Sequence, residues 1–323
     1  MERRGKIVPE KCSEMKISVV IPAHNEQENL IPLMSAIEEM RKSSKLDLEV
    51  IIVDDGSTDK TFHIATELSE KYDYLKILKH INRRGLAFAL DTGFRNAQGD
   101  VYVFYPADLQ YHPEDIPKMI AKIEEGYDLV AGWKQGKYQK AFVSGVYNRL
   151  ARWLFGVKVH DMNSVKAFRK ELYDRIFMRA DWHRYIIPFA YAFNFKVSEV
   201  KVNLYPRNAG ESKFTGIGRI FIGLFDMMSV KFLLSLLKKP MLVFGTSGLF
   251  TILLGVIFGI VALYYRFVLG IGYRPLLNLV IFLFVIGMSL FTLGFFAEIF
   301  GLILQRLNDI SSLLRKQDSE KTE

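Results

Sequence analysis

Cysteine is almost absent from this chain of 323 residues, in which Cys12 stands alone. One thiol cannot build an internal disulfide framework or a cysteine-based zinc site. The chain also lacks HExxH, the GxxxxGK[ST] phosphate loop and any recognisable Ser-His-Asp arrangement, so zincin, P-loop and serine-hydrolase readings have no support. No apolar run opens the sequence, and on that ground no secretory signal is expected and the soluble part is expected to stay cytoplasmic. Charge is missing locally too. From Met241 to Tyr265, and again from Pro275 to Ala297, no residue is charged. Both runs exceed the about 20 apolar residues that a bilayer core requires of a helix. Yet 24% of the whole chain is charged, with a formal net charge of +8. The composition is therefore segregated into a globular part and a membrane part.

In the globular part, residues 1–15 are polar and aperiodic and read as a flexible arm. Strand-like runs then alternate with helical patterns. Ile17–Ile21, Leu48–Val53, Tyr74–Leu78, Val101–Tyr105 and Tyr127–Ala131 are the strands; Glu26–Met40, a stretch ending near Tyr72, Leu86–Ala97 and Pro113–Glu125 are the helices. Such alternation predicts an α/β fold with a mostly parallel, Rossmann-like sheet. After residue 140 the pattern is helix-dominated, apart from a strand-like stretch at Lys196–Leu204. Phe214–Leu237 is amphipathic and basic, which suits a helix lying among lipid headgroups or an ordinary packed helix.

Ligands of open α/β sheets gather at the carboxyl ends of the strands. The loops there read Pro22-Ala23-His24-Asn25-Glu26, Asp54-Asp55-Gly56-Ser57 and Pro106-Ala107-Asp108-Leu109-Gln110. Carboxylates accept hydrogen bonds from base N–H and ribose hydroxyl groups, and hard cations take carboxylate and amide oxygens. Each loop also has a plain reading: Ser57 or Thr58 as a helix cap, His24 as a solvent-facing residue, Asp108 as a turn former.

Taken together, VVIPAHNEQENL, VIIVDDGSTDKT, NRRGLAFALDTGFRNAQGD and PADLQYHPEDI resemble the GT-A nucleotide-sugar transferases of glycosyltransferase family 2. HDMNSVKAFRK, NLYPRNAGESKF and VKFLLSLLKKPMLVFG are similar to its polyprenyl-phosphate glycosyltransferases, the group containing dolichol-phosphate mannose synthase. The resemblance implies a GT-A catalytic domain over residues 16–213, juxtamembrane helices over 214–239, a two-helix transmembrane hairpin over 240–306 and a cytoplasmic tail over 307–323. It further implies that Pro22, His24, Glu26, Asp54, Asp55, Ala107, Asp108, Gln110 and Lys134 bind the donor, with Asp54 the one more suited to bracing. Asp108 and Gln110 would hold Mg²⁺ or Mn²⁺; Pro106 stands where the family places the first Asp of its metal motif, which predicts weak binding of the free cation. Lys140, Ser144, Arg207, Ser212 and Lys213 would collect the acceptor phosphate. Asp161, with Asp108, would be catalytic, placed nearest the anomeric carbon; bracing of its own turn is the alternative.

The activity so implied is inverting transfer of a sugar from a UDP- or GDP-sugar to undecaprenyl or dolichyl phosphate. The partners are then a nucleotide sugar, the lipid and the bilayer, with no nucleic acid and with homo-oligomerisation left open. Lys231, Lys238 and Lys239 precede the first apolar run and Arg306, Arg315 and Lys316 follow the second, which predicts two spans with the catalytic domain and both termini cytoplasmic. Two rivals stay open. A processive polysaccharide synthase would carry Gln-x-x-Arg-Trp, a pattern absent before Trp133, Trp153 and Trp182; a non-catalytic nucleotide-sugar-binding protein would be favoured by Pro106 alone.

Overall fold

A computed structural model describes residues 15–136, 141–176, 182–206 and 218–320. They form two compact units that divide after Arg219.

The first unit is built on seven strands: β1 (Ile17–Ala23), β2 (Leu48–Asp55), β3 (Leu75–His80), β4 (Val101–Phe104), β5 (Leu129–Gln135), β6 (Lys166–Arg169) and β7 (Val197–Asn203), in the spatial order β3-β2-β1-β4-β6-β5-β7. All neighbouring pairs are parallel except those of β6, which runs antiparallel to β4 and β5. The mostly parallel α/β sheet is therefore as the sequence indicates. The central strands are almost wholly buried, which is why β1 (ISVVIPA) and β2 (LEVIIVDD) read as continuous apolar runs instead of alternating ones. Helices α1 (Leu30–Ser44), α2 (Thr61–Lys71), α3 (Leu86–Arg95) and α4 (Asp115–Glu124) connect the strands. In α1 the buried residues Leu30, Leu33, Met34, Ile37 and Met40 make one helical face.

Two expectations need correction. The first helix starts at Leu30, because Glu26–Asn29 form a turn in which the Glu26 carbonyl accepts from the N–H groups of Asn29 and Leu30. β6 lies in the interior of the sheet, where the sequence suggested only helices.

Beyond β5 come α5 (Ala141–Phe155), α6 (Lys170–Tyr173), a short 3-10 helix at Trp182–Tyr185 and α7 (Ile186–Ala192). The register sets Ala23 beside Asp54, Asp55 beside His80 and Phe104 beside Lys166. The carboxyl ends of β1 to β5 and the start of antiparallel β6 thus share one edge of the sheet.

The second unit contains most of α8 (Gly218–Lys238), together with α9 (Pro240–Phe267) and α10 (Arg274–Glu320). On α8, Met227, Val230 and Leu234 are buried while Ile222, Phe225, Met228 and Phe232 form an exposed apolar strip. Pro240–Phe267 and Arg274–Ile303 are long and apolar enough to cross a membrane. They cover both uncharged runs, and α10 continues as helix through Glu320.

Candidate active site

The first two strand-end loops are stapled to each other. Asn25, in the left-handed region at φ 52°, accepts from the Thr58 N–H through Oδ1 at 2.8 Å and donates its own N–H to Ser57 Oγ at 3.0 Å. The Glu26 N–H donates to Thr61 Oγ1 at 2.8 Å, and Glu26 Oε2 accepts from Asn29 Nδ2 at 2.7 Å. Ser57 and Thr58 are therefore occupied in joining loops; Asp59 accepts the first N–H of α2, from Thr61, at 3.0 Å. His24 Nδ1 lies 3.0 Å from the Asp55 carbonyl oxygen, so His24 belongs to the loop junction. Pro22, Ala23 and Asp54 end their strands in register beside it.

Asp54 and Asp55 divide their work. Asp55 accepts from the Arg84 N–H (2.8 Å) through Oδ1 and from the Gly85 N–H (2.7 Å) through Oδ2. Its Oδ1 also lies 2.8 Å from His80 Nδ1, and His80 Nε2 reaches Thr92 Oγ1 at 2.9 Å. Burial alone would raise the Asp55 pKa, but His80 and these two N–H groups hold it below its ordinary value. Gly56 allows this loop to close, since a Cβ there would stand 2.6 Å from the Arg83 nitrogen. Asp54 is fully buried, accepts the Ser57 N–H at 3.3 Å through Oδ1, and has no partner for Oδ2 among the described residues. The bracing is done by Asp55, and Asp54 keeps an acceptor in reserve.

After β4, Leu109 (φ 54°) turns the chain so that Asp108 Oδ1 accepts from the Gln110 N–H at 3.2 Å. One carboxylate and one amide oxygen therefore sit within a single turn, following buried Ala107. No group of three or more His, Cys, Asp or Glu side chains suited to a metal occurs among the described residues. The donor set fits a hard divalent cation only when further oxygens come from elsewhere.

Tyr111 links this turn to a second cluster. Its phenol is buried beside Lys134, Ser164 and Asp161, and burial raises its pKa. The Tyr105 hydroxyl donates to the Tyr111 carbonyl and fixes the backbone. At the end of β5, Lys134 Nζ lies 3.2 Å from Asp161 Oδ2 and donates to the Asn163 carbonyl at 3.2 Å. Asp161 is buried, and its Oδ1 accepts from the Asn163 N–H at 2.8 Å. Asp161 therefore braces its own turn, the alternative reading from sequence, and its second oxygen faces Lys134.

Beneath the pair lies Lys166, fully buried in β6, with Nζ donating to the Ser164 carbonyl at 2.8 Å. Desolvation lowers its pKa to about 7, against a smaller opposing pull from Asp161. His183 is buried too. Burial and the neighbouring Arg184 and Lys166 push its pKa far down, which leaves the imidazole neutral. Tyr111, Lys166, His183 and Arg184 were not legible as site residues. Lys166 alone left a trace, as one cation inside the apolar run Val165–Phe168.

Of the expected acceptor residues, Lys140, Arg207, Ser212 and Lys213 lie outside the described residues, and Ser144 is described only as a backbone position in α5.

Comparison with known proteins agrees with this arrangement. The family model described as glycosyl transferase family 2 matches residues 18–194. Dodecaprenyl-phosphate galacturonate synthase of Rhizobium johnstonii is 30% identical, over 88% of this chain and 87% of its own. Dolichol-phosphate mannosyltransferase of Pyrococcus furiosus is 34% identical, over 62% of this chain and 60% of its own. Among solved structures, glucosyl-3-phosphoglycerate synthase of Mycobacterium tuberculosis, crystallised with Mn²⁺, UDP and phosphoglyceric acid, shares the fold with a TM-score of 0.52 at 21% identity, covering 66% of this chain and 78% of that one. The carboxylate-lined strand ends, the mostly parallel sheet and the family match together establish that the chain is a glycosyltransferase and belongs to glycosyl transferase family 2.

Proposed function

We propose that this glycosyltransferase moves a sugar from a UDP- or GDP-sugar onto a polyprenyl phosphate, such as undecaprenyl or dolichyl phosphate, at the cytoplasmic face of a membrane. The observation that carries this reading is that a family 2 domain and two membrane-length helices occur in one chain, similar along 88% of its length to a dodecaprenyl-phosphate sugar synthase.

In the reaction, a phosphate oxygen of the lipid attacks the anomeric carbon. The bond from that carbon to the β-phosphate oxygen breaks, the nucleoside diphosphate leaves and the configuration inverts. A phosphate oxyanion is already a nucleophile near neutral pH, so no strong general base is required. Asp161 then serves to orient the sugar and to stabilise positive charge developing on its ring. Lys134 pairs with Asp161 and offers a cation where the diphosphate charge grows. The unpartnered oxygen of Asp54, with His24 and Glu26, suits the polar edges of base and ribose. Asp108 and Gln110 would hold Mg²⁺ or Mn²⁺, a Lewis acid that neutralises charge on the leaving diphosphate. The bilayer helices would keep the chain where the lipid acceptor is found.

The test is transfer of radiolabelled sugar from a panel of UDP- and GDP-sugars into a butanol-extractable, mild-acid-labile lipid by membranes containing the protein. One donor should label the lipid, and labelling should depend on added polyprenyl phosphate. Label in a non-extractable polymer, or none from any donor, would overturn the reading.

A further inference from the structure

His160 and Asp161 are neighbours in the chain, yet they engage opposite faces of β5. Side chains alternate along a strand, so Trp133 and Lys134 point to opposite sides of the sheet. Asp161 meets Lys134, with 3.2 Å between Oδ2 and Nζ. His160 meets Trp133 instead, its imidazole stacked on the indole with ring centroids 3.9 Å apart and planes 9° from parallel. The register of β5 with β7 pairs Ala131 with Glu199 and Trp133 with Lys201, which sets both β7 residues on the Trp133 side. Glu199 holds His160 twice. Its Oε2 accepts from the His160 N–H at 2.9 Å, and its Oε1 lies 2.6 Å from Nδ1. Lys201 backs the stack, with Nζ 5.3 Å from the centroid of the Trp133 ring. On the Lys134 side, the Asn163 N–H donates to Asp161 Oδ1 at 2.8 Å and Lys134 donates to the Asn163 carbonyl at 3.2 Å. Residues 160–163 therefore straddle the end of β5.

Stability is a weak reason for this arrangement. The His160 side chain is 41% exposed and that of Glu199 24%, and a polar pair so open to water adds little to a fold. What the pair fixes is position. Ring and backbone of His160 are both held, so the next residue, Asp161, starts from a fixed point. A misplacement of about 1 Å near reacting groups can cost about 100-fold in rate. We propose that His160 is a positioning residue, which through Trp133 and Glu199 sets the turn that presents Asp161. This rests on the reading of Asp161 as the group that orients the sugar, and it assigns His160 no contact with substrate.

The experiment uses the full chain in nanodiscs and has two arms. The first is hydrogen exchange at the Asn163 N–H, which reports the turn without donor or acceptor because it is bonded to Asp161 Oδ1. His160→Phe keeps an aromatic ring for the stack and removes the Nδ1 bond. It should speed exchange at Asn163 about 10-fold and leave the amides of β1 and β2 unchanged. His160→Asn, which offers an N–H near the place of Nδ1, should restore most of the protection. Glu199→Gln should act in the same direction as His160→Phe, and it carries the test should that variant not fold.

The second arm is sugar transfer. His160→Phe should lower kcat about 10-fold with the donor KM unchanged. In an Asp161→Asn background the same substitution should change kcat by less than about twofold, because the group it positions is already gone. Unchanged exchange at Asn163 in the folded variants would overturn the proposal. So would an equal fold-loss of kcat in the two backgrounds, the mark of a residue that only supports the fold. If exchange responds but the wild type transfers no sugar, the proposed function fails and the positioning of the turn stands. If sugar is transferred and exchange does not respond, the positioning role alone is refuted.

Discussion

At the scale of residues, the site gathers more positive than negative charge around one carboxylate. Asp161 faces Lys134 directly, with Lys166 and Arg184 nearby. Removing Asp161 would leave buried cations uncompensated, so Asp161→Asn should cost turnover about 100-fold while also lowering stability. Radiolabel transfer and thermal unfolding in detergent would measure the two effects separately. Lys166 gives a pH prediction. Its folded pKa of about 7 lies below the value of 10.5 for an unburied lysine. Between those values the unfolded chain binds a proton that the folded chain has released, so stability rises with pH across that window. Lys166→Met should abolish this rise and be more stable than wild type by a margin largest near pH 6. Parallel melting curves from pH 6 to pH 9 would refute it. Metal binding is the third prediction at this scale. Asp108 is the carboxylate of the turn proposed to hold the metal, and Pro106 supplies no second one. Mn²⁺ should bind weakly to the free protein and more tightly with saturating UDP or GDP, whose phosphates complete the shell. Pro106→Asp should strengthen the nucleotide-free binding, as read by calorimetry. Equal affinity with and without nucleotide would defeat this account. Asp108, Gln110, Asp161 and Lys134 could be singled out as candidates from sequence because they stand in motifs near strand ends. Tyr111 and Lys166 were not, because their place depends on β4 and β5 meeting across β6, a pairing that local pattern does not encode.

At the scale of elements, legibility followed length and burial. β1 and β2 announce themselves as apolar runs, and α9 and α10 as uncharged ones. β6 (KAFR) is only four residues long and carries a charge at each end, so it resembles the start of the helix that follows. Its neighbours β4 and β5 make it a strand. Glu298 offers a similar case. It lies just past the second uncharged run, and its Oε2 accepts from the Met241 N–H at 3.2 Å. Pro240 opens α9 without an N–H, and Glu298 satisfies the next donor and faces the positive end of the helix dipole. The hairpin also depends on bare backbone. A Cβ on Gly248 would lie 2.7 Å from the Gly287 carbonyl oxygen, and one on Gly287 2.9 Å from that of Gly248. Gly248→Leu should therefore force α9 and α10 apart and lower the melting temperature in detergent by several degrees. Leu249→Ala, on an exposed position, should not. Identical melting of the two variants would show that the helices do not need the close crossing.

At the scale of the whole molecule, the segregation of charge predicts a direction in the membrane. Lys231 and Lys239 precede α9, and Arg306 follows the apolar length of α10. The connection between the two helices carries Arg266 and Arg274 and is short; the Ile271 N–H donates back to the Tyr265 carbonyl at 2.9 Å. Cations near membrane ends are retained on the cytoplasmic side, and the flanks carry more of them than the turn. The proposed nucleotide-sugar donor, if drawn from the cytoplasm, requires the same orientation of the catalytic domain. On the proposed function, both arguments predict the turn between α9 and α10 outside and the flanks inside. In a Cys12→Ser background, Val268→Cys should react with a membrane-impermeant maleimide added to intact cells, since Val268 is exposed in that turn. Lys239→Cys should react only after the membrane is opened. Labelling of Lys239→Cys in intact cells, with Val268→Cys protected, would invert the topology. It would also remove the proposed donor from reach, because a catalytic domain on the outer face could not draw on a cytoplasmic nucleotide sugar.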